Sequence, residues 1–365
     1  MRFLKRIFDK KDEPITSYAD FWTWFQKHEN SFFHVVKTMQ NLEKGFFDKL
    51  SPKLAEVKEG LFYLTGMLDD NTAELVLTAD GNVKNIVFVE ELIAAAPKMD
   101  RWKFTALKTA LHRDAVSIEM EGLTFSSDNL FFFANEWPNY PDEIDICIVP
   151  NDLTDANREL ITNGVYIFLD NYLGELDLVN NVDNIQIVSK NATHKELVPI
   201  FKLKDFLTWR QKEFVEKYED VRYDPEHDEY SILESKLESG NWLIAVVNTQ
   251  LLNWTRKASH PWVAVVIIKY DATNAKGMPS NDDYVSIRRI ENEMKTFLVP
   301  KDGYLNIGWE TANGERKVYF ACKDFRTPSK VLYQTQLKYS GQFEMEFDMY
   351  KDKYWQTFER FIPPS

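Results

Sequence analysis

A chain of 365 residues, 44% hydrophobic and 28% charged, has room for about two domains and the composition of a folded rather than a disordered protein. Its formal charge of −13, with no Arg-rich stripe to offset it, disfavours nucleic-acid binding. Two cysteines exclude a disulfide framework and a thiolate zinc site, and only 13 glycines weigh against folds built on several glycine-rich phosphate loops.

Met1 to Asp12 combines Arg and Lys with Phe3, Leu4, Ile7 and Phe8. It has the charged start of a signal peptide, but no apolar core follows. The expectation is a solvated terminus, with weak contact to an anionic lipid surface as the other reading. No stretch approaches 18 apolar residues, so no membrane span is expected and the location is read as cytoplasmic.

Thr16 to about Gly60 reads as helical, with Ser17 as cap and Phe21, Trp24, Phe25, His28, Phe32 and Val35 recurring at three- and four-residue steps. Pro52 is expected to sit in the first turn of a second helix. The stripe containing Phe21, Trp22, Trp24, Phe25, Phe32 and Phe33 reads as core or packing surface, with Trp22 and Phe33 as interface candidates. Short strands are predicted at 60–66, 73–79, 102–107, 116–120, 129–134 and 144–149, with a helix at 89–96. A helix over 151–174 and a strand at 185–188 close the unit. Asp142, Glu143 and Asp145 at a strand entrance read as a charge device on a strand edge, or as a carboxylate pair.

The polar run from Ser189 to Pro199 marks a boundary, Phe201 to Tyr218 a connecting helix, and Val221 to Asp228 a charged loop. Asp224-Pro225-Glu226-His227-Asp228-Glu229 is the densest polar cluster. It lacks the spacing and the Gly of a calcium loop, so it reads as solvated and no metal site is assigned. Strands are then predicted at 242–248, 262–270, 304–310, 317–322 and 343–349, with helices at 281–298 and 328–339. Asn313-Gly314 is a hairpin signal. From Trp262 onward the order is β-α-β-β-α-β, the ferredoxin-like split motif. Leu75–Leu107 and Leu243–Tyr270 echo each other as strand, helix, X-Pro, Trp and strand, which raises an internal duplication.

Neither G-x-G-x-x-G, a P-loop, H-E-x-x-H, G-x-S-x-G nor the kinase signature set occurs, so no cofactor is assigned. Cys147 and Cys322 lie in apolar runs and read as buried thiols. His260 precedes Pro261 and so sits in extended backbone. His260, Trp262, Glu291 and Arg316 are the ligand-binding candidates, since all four fall near strand ends or hairpin turns.

Ser259-His260-Pro261-Trp262, Gly277-Met278-Pro279, Ile290-Glu291 and Asn313-Gly314-Glu315-Arg316 resemble the bacterial domain of unknown function 695 family, over roughly 229–361. Upstream, Phe21-Trp22-Thr23-Trp24-Phe25, Phe88-Val89-Glu90-Glu91, Ala96-Pro97 and Leu169-Asp170-Asn171-Tyr172-Leu173-Gly174-Glu175 resemble the N-terminal half of two-domain members from Bacteroidetes-type bacteria. The Gly-Met-Pro and Ile-Glu arrangement is also similar to the regulator of ribonuclease activity B family, whose members are small acidic cytoplasmic proteins. The domain of unknown function 695 family has no assigned activity, so that resemblance implies organisation rather than chemistry.

Together these features predict an α+β protein of two domains. A helix-led mixed α+β domain spans 16–190, a linker with a connecting helix 191–228, and a ferredoxin-like domain 229–365. The function expected is a non-catalytic interaction or regulatory module whose acidic surface meets a basic protein partner. An enzyme or small-ligand binder with an inter-domain cleft is the alternative, and an immunity-type inhibitor of a basic toxin the third. Oligomeric state is left open.

Overall fold

A computed structural model describes residues 13–272 and 277–362. The basic stretch Met1 to Asp12, and with it the lipid-surface reading, lies outside the described residues. Contacts divide the chain into two units, Met1–Lys108 and Thr109–Ser365, rather than at the expected linker.

In the first unit, α1 (Tyr18–Thr38) begins where Ser17 Oγ accepts the Asp20 N–H at 3.1 Å, as the sequence predicts. It ends where Met39 and Asn41 take left-handed backbone, each with φ of 56°. A π-helical turn at Glu43–Phe47 then runs into α2 (Asp48–Val57). Pro52 is therefore the fifth residue of α2 and not in its first turn, because the break at Met39–Asn41 lets the helix restart earlier. β1 (Phe62–Met67), β2 (Ala73–Thr78), α3 (Val83–Ala94) and β3 (Trp102–Ala106) follow. β1 pairs antiparallel with β2, and β2 pairs parallel with β3 across α3.

The aromatic stripe of α1 makes the core of this unit. Trp22 is 2% exposed, its indole N–H donates to the Leu92 carbonyl at 2.7 Å, and its ring meets Phe104 at 4.5 Å. Phe33 is buried beneath the side chains of Lys37 and Arg101. Neither is presented as an interface anchor, since each ring already has its packing partners inside the unit.

The second unit opens with the hairpin β4 (Ser117–Met120) and β5 (Leu123–Ser126). There follow β6 (Leu130–Asn135), β7 (Asp145–Pro150), α4 (Arg158–Leu173), α5 (Glu175–Asn181), β8 (Asn184–Ile187), the short β9 (Val198–Pro199) and α6 (Leu203–Tyr218). The sheet order is β8-β7-β6-β9. Ile161, Val165, Phe168 and Leu169 of α4 pack with Ile146 and Ile148 of β7. A Cβ at Gly164 would stand 2.2 Å from the Phe125 ring, so only glycine lets α4 approach the hairpin this closely. Leu203 and Leu207 of α6 join the same core, so residues 191–228, expected as a linker, contribute to the body of the unit.

The remaining elements are β10 (Tyr230–Lys236), β11 (Trp242–Asn248), α7 (Thr249–Leu252), β12 (Trp262–Lys269), α8 (Asn281–Phe297), β13 (Tyr304–Ala312), β14 (Glu315–Cys322), α9 (Arg326–Tyr339) and β15 (Glu344–Lys351). They form an antiparallel sheet of order β10-β11-β13-β14-β12-β15. The predicted order from Trp262 and the turn at Asn313-Gly314, with φ of 50° and 84°, are both present. Ile287, Ile290 and Met294 of α8 and Leu332 of α9 are buried. Trp355, Phe358 and Phe361 pack with Val263, Leu305, Ile307 and Ala321 of the sheet. The sequence echo does not extend to topology: β2 and β3 pair directly, whereas β11 and β12 are not neighbours. The whole is a mixed α+β protein, and no helix of the described residues is long and apolar enough to cross a membrane.

Candidate functional site

The four ligand-binding candidates fall at two ends of β12. Trp262 pairs in register with Cys322 and Lys351, while Arg316 pairs with Ile268, six residues further along the strand. At about 3.3 Å per residue the two ends are roughly 20 Å apart. His260 precedes the first end and is 1% exposed. Its Nδ1 lies 2.8 Å from Ser259 Oγ, its carbonyl accepts the Trp355 indole N–H at 2.9 Å, and Trp254 packs edge-on against its ring. Burial, with Lys323 and Arg222 nearby, pushes its pKa down to about 3, so the ring is neutral and fixed.

At the other end, Arg316 Nε donates to Glu291 Oε1 at 2.7 Å and Nη1 to Thr311 Oγ1 at 2.5 Å. Its guanidinium stacks 3.2 Å from the centre of the Trp309 ring, and Glu291 is fully buried. Arg288 approaches Glu291 Oε2 at 3.5 Å. This is an ion pair sealed between α8 and the sheet. The structure thus joins Glu291 to Arg316, and leaves His260 and Trp262 near each other but far from that pair.

Trp262 borders a cleft of about 430 Å³ also lined by Lys323, Arg326, Lys351 and Lys353. Behind it lies an ionic centre that joins the smaller sheet to the six-stranded one. Asp183, which directly precedes β8, takes Lys351 Nζ on Oδ1 at 3.0 Å and Lys353 Nζ on Oδ2 at 2.7 Å. The Ile144 N–H donates to Asp183 Oδ2 as well. Lys351 also caps the end of α5 by donating to the Asn180 carbonyl at 2.6 Å. Burial alone would raise the Asp183 carboxyl, but Lys351 and Lys353 hold it below its ordinary value. Burial, with Lys353 alongside, pushes Lys351 down to about 8.

Asp142, Glu143 and Asp145 do not form an edge device, because β7 lies between β8 and β6. Nor do they act as one carboxylate pair, for each is held separately. Asp142 accepts from Tyr354 at 2.6 Å, Tyr218 at 2.7 Å and Lys217 at 2.9 Å. Burial alone would raise its carboxyl, yet those three donors hold it below its ordinary value. Glu143 accepts from the Gln356 amide at 2.8 Å, and burial with Asp183 nearby pushes its carboxyl up. Asp145, 3% exposed, accepts the Trp137 indole N–H on Oδ2 at 2.9 Å.

Trp137 and Glu143 line a second cleft, of about 440 Å³, completed by Phe206, Trp209 and Arg210 of α6 with Glu136. Phe206, Trp209 and Arg210 are at i, i+3 and i+4, so one helix face carries all three into the wall. Trp137 and Trp209 are 47% and 54% exposed. Arg210 turns its guanidinium to the Pro141 carbonyl at 2.6 Å. Sequence reasoning missed these residues, although a tryptophan on the polar side of a Lys- and Glu-rich helix is a readable signal. Asp183, Lys351 and Lys353 carried no such signal, since they meet across about 170 residues of chain.

The polar cluster from Asp224 to Glu229 forms a short turn, in which Asp224 Oδ1 accepts the Glu226 N–H at 3.1 Å and Asp228 accepts from the Tyr223 hydroxyl. Cys147 and Cys322 are buried thiols.

A family model described as "Family of unknown function (DUF695)" matches residues 235–362. No curated protein and no solved structure matches the chain. The matched segment holds His260, Trp262, Glu291 and Arg316, whereas the tryptophan cleft lies before it.

Proposed function

We propose that the protein is a non-catalytic interaction module that receives a basic segment of a partner protein. The observation that carries this reading is the cleft between β6, the loop leading to β7, and α6, where two half-exposed tryptophans stand beside Glu136 and Glu143. Open aromatic walls with acidic neighbours suit binding, and tryptophan is a preferred anchor of protein interfaces. The net charge of −13 adds long-range attraction for a basic partner.

Two further facts weigh against the enzyme alternative. His260 is buried and neutral, and Glu291 and Arg316 are paired with each other about 20 Å away. An immunity-type inhibitor is the special case in which the basic partner is a toxin. The C-terminal segment is read as ferredoxin-like from its β-α-β-β-α-β order and from β13-β14-β12-β15 adjacency. Its similarity to the regulator of ribonuclease activity B family points to the same kind of role.

Affinity capture of tagged full-length protein from its native cells, at low and at moderate salt, tests the reading. The expected result is a near-stoichiometric basic protein whose recovery falls as salt rises. Recovery of the bait alone at low salt overturns it.

A further inference from the structure

The tryptophan cleft is organised around negative charge held behind an aromatic wall. Asp145 is 3% exposed, and one of its oxygens, Oδ2, takes the Trp137 indole N–H. The other, Oδ1, is buried with no hydrogen-bond partner among the described residues. A buried carboxylate oxygen without a donor is costly, and its field is poorly screened. Donation of the indole N–H to an anion also enriches the ring's π face, the face that attracts cations.

No ion pair neutralises Asp145 among the described residues. Lys195 Nζ ends on Asn135 Oδ1 at 2.8 Å and on the Ala134 carbonyl at 3.2 Å, and makes no ion pair with Asp145 among the described residues. Arg210 is a cation of the wall: its guanidinium carbon lies 5.9 Å from the centre of the Trp209 ring and its Nη1 3.8 Å from Glu213, while its Nη2 donates to the backbone carbonyls of Pro141 and Glu143. Glu136 and Glu143 add acidic groups at the same cleft, and Trp209 and Phe206 supply further aromatic surface.

From this geometry we infer that the cleft is a receptor for a single lysine or arginine side chain of the basic partner, held over the Trp137 and Trp209 rings with Glu136 and Glu143 beside it. This inference rests on the interaction-module reading and names the group that is recognised. A volume of about 440 Å³ admits one long side chain and its flanking backbone, not a folded surface. The guest's apolar stem meets the indoles, and its charged head meets the carboxylates.

Isothermal titration of full-length protein with a lysine–glycine repeat peptide, and with the same peptide Nε-acetylated at every lysine, tests it. The free-lysine peptide is expected to bind and to weaken with salt, while the acetylated one does not bind. Trp209→Leu and Trp137→Phe are each expected to weaken binding about tenfold, the size of one desolvated cation–π contact. Trp209 is exposed, so its variant keeps the fold, and thermal melts of every variant verify this. Glu136→Gln, also at an exposed position, is expected to reduce binding and its salt dependence without touching any ring.

If the lysine peptide binds but none of the three variants weakens it, the cleft inference is overturned while the interaction-module reading stands. Equal binding of the acetylated peptide overturns recognition of charge. Absence of binding by the lysine peptide at low salt overturns both.

Discussion

Two buried ionic centres of the second unit solve the same physical problem in different ways. Glu291 and Arg316 meet under Trp309 and beside Thr311, within the layer formed by α8 and the large sheet. Asp183 instead faces two ammonium groups, Lys351 and Lys353, which come from the far end of the same sheet and tie it to the smaller one. The first centre is local, and its second cation, Arg288, approaches the other oxygen of Glu291 at 3.5 Å from a half-exposed position. The second is a joint in which both cations are buried, completed by carbonyls of Asn180 and Asp142. A sealed pair gives specificity within a layer, whereas the joint gathers two buried ammonium groups on one carboxylate.

The largest expected effect follows from that difference. Asp183→Ala strands two buried ammonium groups at once, and breaking a buried pair costs about 3–5 kcal/mol even for one partner. Glu291→Ala strands one guanidinium, which retains Thr311 and the Trp309 ring and should cost less. Urea denaturation of the two variants at neutral pH measures the order, and a Glu291 variant less stable than the Asp183 variant would break the comparison.

Much of this fold is readable from local pattern. The cap at Ser17, the Asn313-Gly314 turn and the strand at Trp242–Asn248 each carry their signal within a few residues. The strand at Tyr230–Lys236 does not. It is an edge strand whose exposed positions carry Tyr230 and Ile232, 52% and 69% exposed, so hydrophobicity does not follow the alternation of burial. The candidate site was legible in part for the same reason. Glu291 and Arg316 flank recognisable turns and helices, but what they contact is set by a fold in which residue 291 lies opposite residue 316. The joint at Asp183 is set by contacts between segments about 170 residues apart, and no spacing rule reaches that far. The tryptophan cleft failed for a different reason: Trp209 was visible in a helix read as a connector, and that helix belongs to the body of the unit.

The pH dependence of stability should sharpen the contrast at an intermediate scale. Asp142 and Asp183 carboxyls are both held below their ordinary value in the fold, so their contribution is fully present above the unfolded carboxylate range. It is lost as pH falls through that range towards the folded values. His260 adds to the same limb. Its folded pKa of about 3 lies below the ordinary imidazole value, so protonation favours the unfolded chain once pH drops below about 6.5. Stability measured by urea titration across this interval is expected to fall with decreasing pH. Asp183→Asn should flatten the lower part of the slope and His260→Asn the upper part; a slope unchanged in both variants would remove these groups as its cause.

The smallest expected stability effect belongs to the residue on which the interaction reading most depends. Trp209 is 54% exposed and packs tilted against Phe206 at a centroid distance of 6.1 Å, so Trp209→Leu uncovers little that water does not already reach. Exposed substitutions of this kind change stability by about 0.5 kcal/mol or less. A buried tryptophan behaves differently: Trp22, which donates to the Leu92 carbonyl in the first unit, is expected to cost about 3–5 kcal/mol when truncated to alanine. Thermal melts of the two variants therefore separate a tryptophan kept for the fold from one placed at the wall of a cleft. If Trp209→Leu destabilises the protein as much as Trp22→Ala, its exposure is not that of a binding surface, and the indole serves the core instead.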